Sequence, residues 1–129
     1  MGWLYIYKKM QVNKVAILID GGFFIHRFQS LKKRLPKKQD VEALVKDIVK
    51  TLDIANHPNS CNILFRTYYY DCLPFSKTIK SFDGTRKIDY SAKHKYKTSM
   101  DFIHSLKTID QFALRLGDLS FTGWKVDAQ

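Results

Sequence analysis

Two aspartates each close an apolar stretch, and they are the first residues to consider for chemistry. Asp20 ends the run "KVAILID", and Asp71 ends the run "CNILFRTYYYD". Both runs are rich in β-branched or aromatic residues, which is typical of buried strands. If the two strands are parallel, their carboxyl ends meet at one edge of the sheet, where open α/β folds bind ligands. We therefore expect the two carboxylates to lie close together.

A divalent cation is the ligand that such a pair of acids favours, because it relieves the repulsion between them. Mg²⁺ is typically held by one or two carboxylates, keeps several waters and contacts phosphate oxygens. It can polarise a phosphodiester and activate a water. Gly21 and Gly22 follow Asp20 directly, and without Cβ atoms they allow a tight turn and the close approach of a substrate backbone. The pattern predicts a metal site at Asp20 and Asp71.

Structural roles for the same aspartates remain open at this point. Asp20 is also suited to cap the helix that follows it, and Asp71 is suited to an Asx turn before "CLPF". Other enzyme classes fit less well. A phosphatase of the haloacid type needs a second aspartate at the position of Gly22. The chain has neither the phosphate-binding nor the dinucleotide-binding glycine pattern at this point, and no nucleophile elbow.

The charge of the chain favours a polyanionic partner, with nucleic acid as the first choice. Twenty-two Lys and Arg residues against twelve acids give a net charge of +10, and such an excess favours nucleic acid. Residues 32–38, "KKRLPKK", hold five cations in seven positions. This run is either a solvated helix end or a patch that follows phosphates. The candidate nucleic-acid-binding residues are Gly21, Gly22, Arg27, Lys32, Lys33, Lys37 and Lys38.

The elements that must position these residues alternate between strands and helices. Such alternation favours an α/β architecture with a mainly parallel sheet and right-handed crossovers. We expect the first strand to be buried on both faces, and Asp40 to cap the second helix. The predicted elements are a strand at 14–20, a helix to about Leu35 ended by Pro36, a helix at 40–55, a strand at 61–71, a hairpin at "FDGT", a helix at 91–109 and a strand at 111–124 that bends near Gly117.

Several classes of protein, membrane and secreted proteins among them, are disfavoured by features that the sequence lacks. No apolar run approaches the roughly 18–20 residues of a membrane span, so no membrane association is expected. The start of the chain does not have the form of a secretory signal. Cys61 and Cys72 are the only cysteines, and two isolated thiols in this context are expected to be reduced and buried in a cytoplasmic protein.

Four segments together resemble the NYN domains of the PIN-like nuclease superfamily. They are "KVAILIDGGFFIHR", "RTYYYDCLPF", the Asp-Gly hairpin followed by "KIDYS", and "FALRLGDLSFTGW". The resemblance covers roughly residues 13–125, which makes 1–12 an N-terminal extension and 13–129 the domain. It implies a Rossmann-like α/β/α sandwich and cleavage of RNA that depends on Mg²⁺ or Mn²⁺. Asp20 matches the family's first metal ligand, and Asp71 matches the acid of its tyrosine-rich second strand.

The chain departs from the family after "GWKVDAQ". Members of the family continue with further acidic motifs that complete the metal site, and Asp118 and Asp127 are poor substitutes for them. The resemblance therefore implies an incomplete nuclease domain that is inactive without those motifs, with a second copy or a partner chain completing the sheet. The alternative is a basic RNA-binding or protein-interaction module without catalysis. The number of carboxylates gathered at the site discriminates between the two: two favour the binding module, and three or four favour the nuclease.

Overall fold

The computed structural model describes residues 11–55 and 58–124. Within these ranges the chain forms five strands, three α-helices and a short 3-10 turn at Tyr90–Ala92. The order along the chain is β1 (Gln11–Asp20), α1 (Gly21–Lys32), α2 (Lys38–Ala55), β2 (Ser60–Cys72), β3 (Thr78–Lys80), β4 (Lys87–Asp89), α3 (His94–Leu106) and β5 (Phe112–Gly117). The first ten residues of the predicted extension, and Asp127, lie outside the described ranges.

A three-stranded parallel sheet forms the centre of the fold, in the order β1-β2-β5. β1 and β2 are parallel neighbours, and β5 pairs with the other side of β2. The strands β3 and β4 form a separate antiparallel pair, and Gly84 in the turn between them adopts a positive φ of 75°. The expectations of a mixed α/β fold, a mainly parallel sheet and an Asp-Gly hairpin are confirmed.

The hydrophobic core lies on one face of this sheet. Ile17 and Ile19 of β1 and Tyr69 of β2 pack there against α2 and α3, and the buried members of the cluster are Ile17, Ile19, Val41, Val45, Tyr69 and Leu106. Phe24 of α1 packs against the same cluster. The alternate residues of β1, Leu18 among them, are exposed. The described residues therefore form two layers, and the expectation that β1 is buried on both faces is wrong.

A bulge in β2 sets which residues of that strand face the core. The pairing with β1 passes from Val15↔Leu64 to Ala16↔Arg66, so Phe65 is an extra residue. A shift of one residue moves side chains to the other face of a sheet. Here Leu64 contacts the core before the bulge and Tyr69 contacts it after the bulge, whereas Phe65 is exposed.

Several boundaries differ from the sequence-based expectations. α1 ends at Lys32 rather than near Leu35, because Lys33 adopts a left-handed conformation and its N–H caps the helix at the Gln29 carbonyl. β5 ends at Gly117, and residues 118–124 form no strand. Cys72 is exposed and Cys61 is only half-buried, so the expectation that both thiols are buried is wrong. No helix among the described residues is long and apolar enough to cross a membrane.

Asp40 lies inside the first turn of α2 rather than at its N-cap. Its carboxylate accepts the backbone N–H of Lys37 at 2.7 Å and two N–H groups of Arg34 at 2.8 and 2.9 Å. These hydrogen bonds, first of all that from Arg34, lower the pKa of Asp40 from 3.8 to about 2. Arg34 also lies over the Phe28 ring, 4.8 Å from its centroid. The pair thereby joins the end of α1 to the start of α2.

We predict that this pair stabilises the fold only above a threshold pH. In the unfolded chain Asp40 becomes protonated near its ordinary pKa, whereas in the folded chain it stays ionised to about pH 2. Its contribution is therefore complete above about pH 4 and is lost as pH falls towards 2. Asp40→Asn should lower the free energy of unfolding slightly at pH 7, since the pair is exposed. Urea titrations at pH 7 and pH 2.5 measure this loss.

The matched control is Asp47→Asn, which removes an exposed carboxylate from the same helix. That control should show no comparable dependence on pH. If Asp40→Asn lost the same unfolding free energy at both pH values, the pH dependence would not belong to the Arg34–Asp40 pair. The same conclusion would follow if Asp40→Asn and Asp47→Asn responded equally to pH.

Candidate functional site

The carboxyl ends of the parallel strands define one edge of the sheet, hereafter the carboxyl edge, and both aspartates lie on it. Asp20 is the last residue of β1 and pairs in register with Tyr70, the residue before Asp71. Asp71 pairs with Leu116 of β5. The expectation that the two strands are parallel neighbours is confirmed, and Asp20 ends its strand as expected, whereas β2 continues one residue beyond Asp71, to Cys72.

Asp20 is the N-cap of α1, which is the structural role that the sequence left open for it. Its Oδ1 accepts the backbone N–H of Phe23 at 3.1 Å, which satisfies one of the unpaired donors at the helix N-terminus. The described residues offer no hydrogen bond to Oδ2, and the residue is exposed. Capping and the binding of a cation are compatible here, because they use different oxygens of one carboxylate.

Asp71 is half-buried and does not form the expected Asx turn. Its Oδ1 accepts the N–H of Cys72, the next residue, at 2.8 Å. The N–H of Leu73 donates instead to the Gly117 carbonyl. Burial raises the pKa of Asp71 above its ordinary value, and the negative charge of Asp20 raises it further, whereas the hydrogen bond from Cys72 opposes both.

The two aspartates leave their strands in different directions. Side chains alternate between the faces of a sheet, and this alternation places Asp20 on the side of Leu18 and Asp71 on the side of Tyr69. A cation shared by them would have to lie over the strand ends rather than on one face.

Tyr69 is a residue of this edge that the sequence pattern did not single out. Its side chain is fully buried, and its hydroxyl has no hydrogen-bond partner among the described residues. Burial raises its pKa strongly, and the charges of Asp71 and then Asp20 raise it further. A buried hydroxyl without a partner is unfavourable, so the packing of the Tyr69 ring is achieved at a cost in hydrogen bonding.

Gly21 makes room for the Tyr69 ring. A Cβ atom on Gly21 would lie 2.5 Å from Cε1, 2.6 Å from Cζ and 2.7 Å from the hydroxyl of that ring. A Cβ on Gly22 would meet only Asp20 Oδ1, at 3.6 Å. Gly21 therefore serves packing beneath the first turn of α1, whereas Gly22 leaves the exposed side of that turn open.

Asp20 and Asp71 are the acids that lie within the strand ends at this edge. Nowhere in residues 11–55 and 58–124 do three or more His, Cys, Asp or Glu side chains form a group that could hold a metal ion. Asp118 follows β5 directly and lines a shallow cavity of about 400 Å³ with Leu73, Phe75 and Tyr96.

The basic candidates lie on α1, on the turn that follows it and at the first residue of α2. Arg27, Lys32, Lys33 and Lys37 are exposed, and Lys38 is half-buried. Arg34, the remaining cation of residues 32–38, forms a salt bridge with Asp40. Four lysines of this run thus remain on the surface as candidates for phosphate contacts.

Comparisons with known proteins add no identification. No family model matches the chain, and neither a similar curated protein nor a similar solved structure was found. The described residues define a mixed α/β protein with a three-stranded parallel sheet and an acidic pair at its carboxyl edge.

We predict opposite effects of alanine at the two adjacent glycines. Gly21→Ala places a methyl group inside the Tyr69 ring, which is buried and cannot move away cheaply, so it should destabilise the fold by about 1–3 kcal/mol. Gly22→Ala should be neutral or stabilise α1 by up to ~1 kcal/mol, because alanine favours the helix. Urea titration gives both free energies. Equal effects of the two substitutions would show that the Tyr69 ring does not depend on Gly21.

Proposed function

We propose that this chain is an RNA-binding module of the PIN-like type, with a Rossmann-like architecture and a weak divalent-cation site at its carboxyl edge. The observation that carries the proposal is the position of Asp20 and Asp71 at the ends of neighbouring parallel strands, with the buried hydroxyl of Tyr69 near both. The net charge of +10 supports a polyanionic partner. A cytoplasmic location belongs to the same proposal.

The donor set fits Mg²⁺ or Mn²⁺. Mg²⁺ takes one or two carboxylates and fills its remaining positions with water, so Asp20 and Asp71 suffice to hold it weakly. Such a cation supplies charge that polarises a phosphodiester and favours attack by a water. Asp20 is the first ligand, because its Oδ2 is open to solvent while Oδ1 caps α1. Asp71 is a second ligand or an acid that positions water.

Two acids hold a cation, but they do not fix it firmly. Small displacements of reacting groups can lower a rate by ~100-fold. Among the described residues, no group of three acids is close enough together to hold a metal ion. We therefore infer that RNA cleavage by this chain alone is slow or absent, and that a nuclease of this type would need further acids from a partner.

A second candidate function is a binding module without any metal chemistry. The observation that favours it is the capping role of Asp20, which gives this carboxylate a structural function without any metal. In this case the basic residues Lys32, Lys33, Lys37 and Lys38 would contact RNA phosphates, and Asp20 would serve only the fold.

The test measures binding of Mn²⁺ and cleavage of a single-stranded RNA by the whole chain. We expect weak binding that is lost in Asp20→Asn, and little or no cleavage by either protein. Asparagine keeps the shape and the capping oxygen but removes the charge. The matched control is Asp89→Asn, since Asp89 also accepts a backbone N–H at the start of a helical turn, from Ser91 at 3.0 Å, away from the acidic pair.

Two outcomes would contradict parts of this proposal. Mn²⁺ binding that is equal in the wild type and Asp20→Asn would contradict the cation site and leave the second candidate. Strong metal-dependent cleavage by the wild type, abolished in Asp20→Asn but not in Asp89→Asn, would support the site and contradict slow catalysis.

A further inference from the structure

One face of the parallel sheet carries no helix among the described residues, and we call its aromatic and basic part the open face. The open face comprises Phe65, Arg66, Tyr68 and Tyr70 of β2 and Arg115 of β5. Phe65 is 52% exposed and Tyr70 is 45% exposed. Tyr68 is half-buried. The helices cover the opposite face, where Tyr69 lies.

The topology explains why the helices leave this face open. The connections β1 to β2 and β2 to β5 run in the same direction across the sheet. Right-handed crossovers that proceed in one direction place their helices on the same side. Parallel sheets are normally covered on both faces, so an uncovered face of this kind is a candidate for a ligand or a partner.

The aromatic residues are arranged as a row that bases could stack on. Tyr68 and Tyr70 lie two residues apart on the central strand, which places them on the same face at a separation of about 6.6 Å along the strand. The Arg115 guanidinium lies 5.6 Å from the centroid of the Tyr68 ring. The Arg66 guanidinium lies 6.0 Å from the centroid of the Phe65 ring. Aromatic rings interleaved with cations are the elements that bind single-stranded nucleic acids without strong sequence preference.

The charges favour an anionic occupant over an apolar one. Strand alternation places the exposed apolar side chains of Val12, Leu18 and Ile63 on this side. It also places Lys14, Arg66 and Arg115 there, against the single acid Asp20 at its end. A layer of apolar helices would have to cover these cations, and burying unpaired charges is costly. A second copy of this face would bring like charges together. A polyanion with planar bases can stack its bases on the aromatic rings and place its phosphates against the cations.

We propose that the open face is a stacking platform for single-stranded RNA that leads to the carboxyl edge; this rests on the proposed function, in which RNA is the partner. Asp20, Tyr70 and Arg115 are cross-strand neighbours in register. A base stacked on Tyr70 therefore lies next to the aspartate that holds the cation. The platform binds the RNA strand and ends at Asp20, whereas Asp71 lies on the side of Tyr69.

The experiment measures fluorescence anisotropy of a labelled 12-nucleotide single-stranded RNA with the full chain. Base–aromatic stacking contributes ~1–3 kcal/mol per base, so Tyr70→Leu should weaken binding about tenfold, and Tyr70→Phe should retain it. The control is Phe82→Leu, because Phe82 is 78% exposed and lies in the loop between β3 and β4. Arg115→Gln should reduce the slope of affinity against salt by about one unit.

Competition with a duplex of the same length provides a second readout. A stacking platform prefers unpaired bases, so the single strand should bind better than the duplex. Substitution of Lys32, Lys33, Lys37 and Lys38 by alanine should weaken both RNAs alike, since phosphate contacts carry no preference for unpaired bases.

The outcomes separate this proposal from the function it rests on. If Tyr70→Leu and Arg115→Gln bind as the wild type does, while the four-lysine variant binds less, the platform is refuted and RNA binding stands. If the wild type binds no RNA at low salt, both the stacking platform and the proposed RNA-binding function are refuted. If the wild type sediments as a dimer that Tyr70→Leu converts to a monomer, the open face is an interface between copies and the platform is again refuted.

Discussion

The contact between the Tyr69 ring and Gly21 is the constraint on which the rest of this structure depends. Tyr69 is the largest fully buried side chain of the core, and its ring occupies the space that a Cβ on Gly21 would need. The ring also contacts Phe102 of α3 and Phe112 of β5, with centroid distances of 6.4 and 5.9 Å. One side chain of the central strand thus joins the start of α1, the helix layer and the second edge strand.

This packing also determines the chemistry available at the carboxyl edge. Because α1 begins directly above Tyr69, Asp20 is both the last residue of β1 and the cap of the helix. The Tyr69 hydroxyl is buried there and has no hydrogen-bond partner in residues 11–55 and 58–124. Asp71, two residues further along the same strand, is half-buried, which raises its pKa. Packing, capping and the acidic pair therefore follow from one arrangement at the ends of two strands.

Much of the fold was predictable from hydrophobic pattern, and the exceptions have physical causes. The apolar repeat of α2 and the alternation of strands with helices predict the elements and the parallel pairing well. The pattern cannot show that β1 has only one covered face, because "VAILI" is apolar at every position, as a doubly covered strand would be. "TYYYD" presents three equal rings, so nothing in it distinguishes the buried Tyr69 from the exposed Tyr70. The bulge at Phe65, which sets this difference, depends on pairing with β1.

The central claim concerns the shared cation at the carboxyl edge, and the most direct measurement is an anomalous difference map from crystals of this chain soaked in Mn²⁺. The account predicts one strong peak at the ends of β1 and β2, in contact with an Asp20 carboxylate oxygen and linked to Asp71 directly or through one water. The expected metal–oxygen distances are close to the ~2.1 Å of Mg²⁺ sites. A map with no peak at this edge, or with its only peak elsewhere on the chain, would contradict the account.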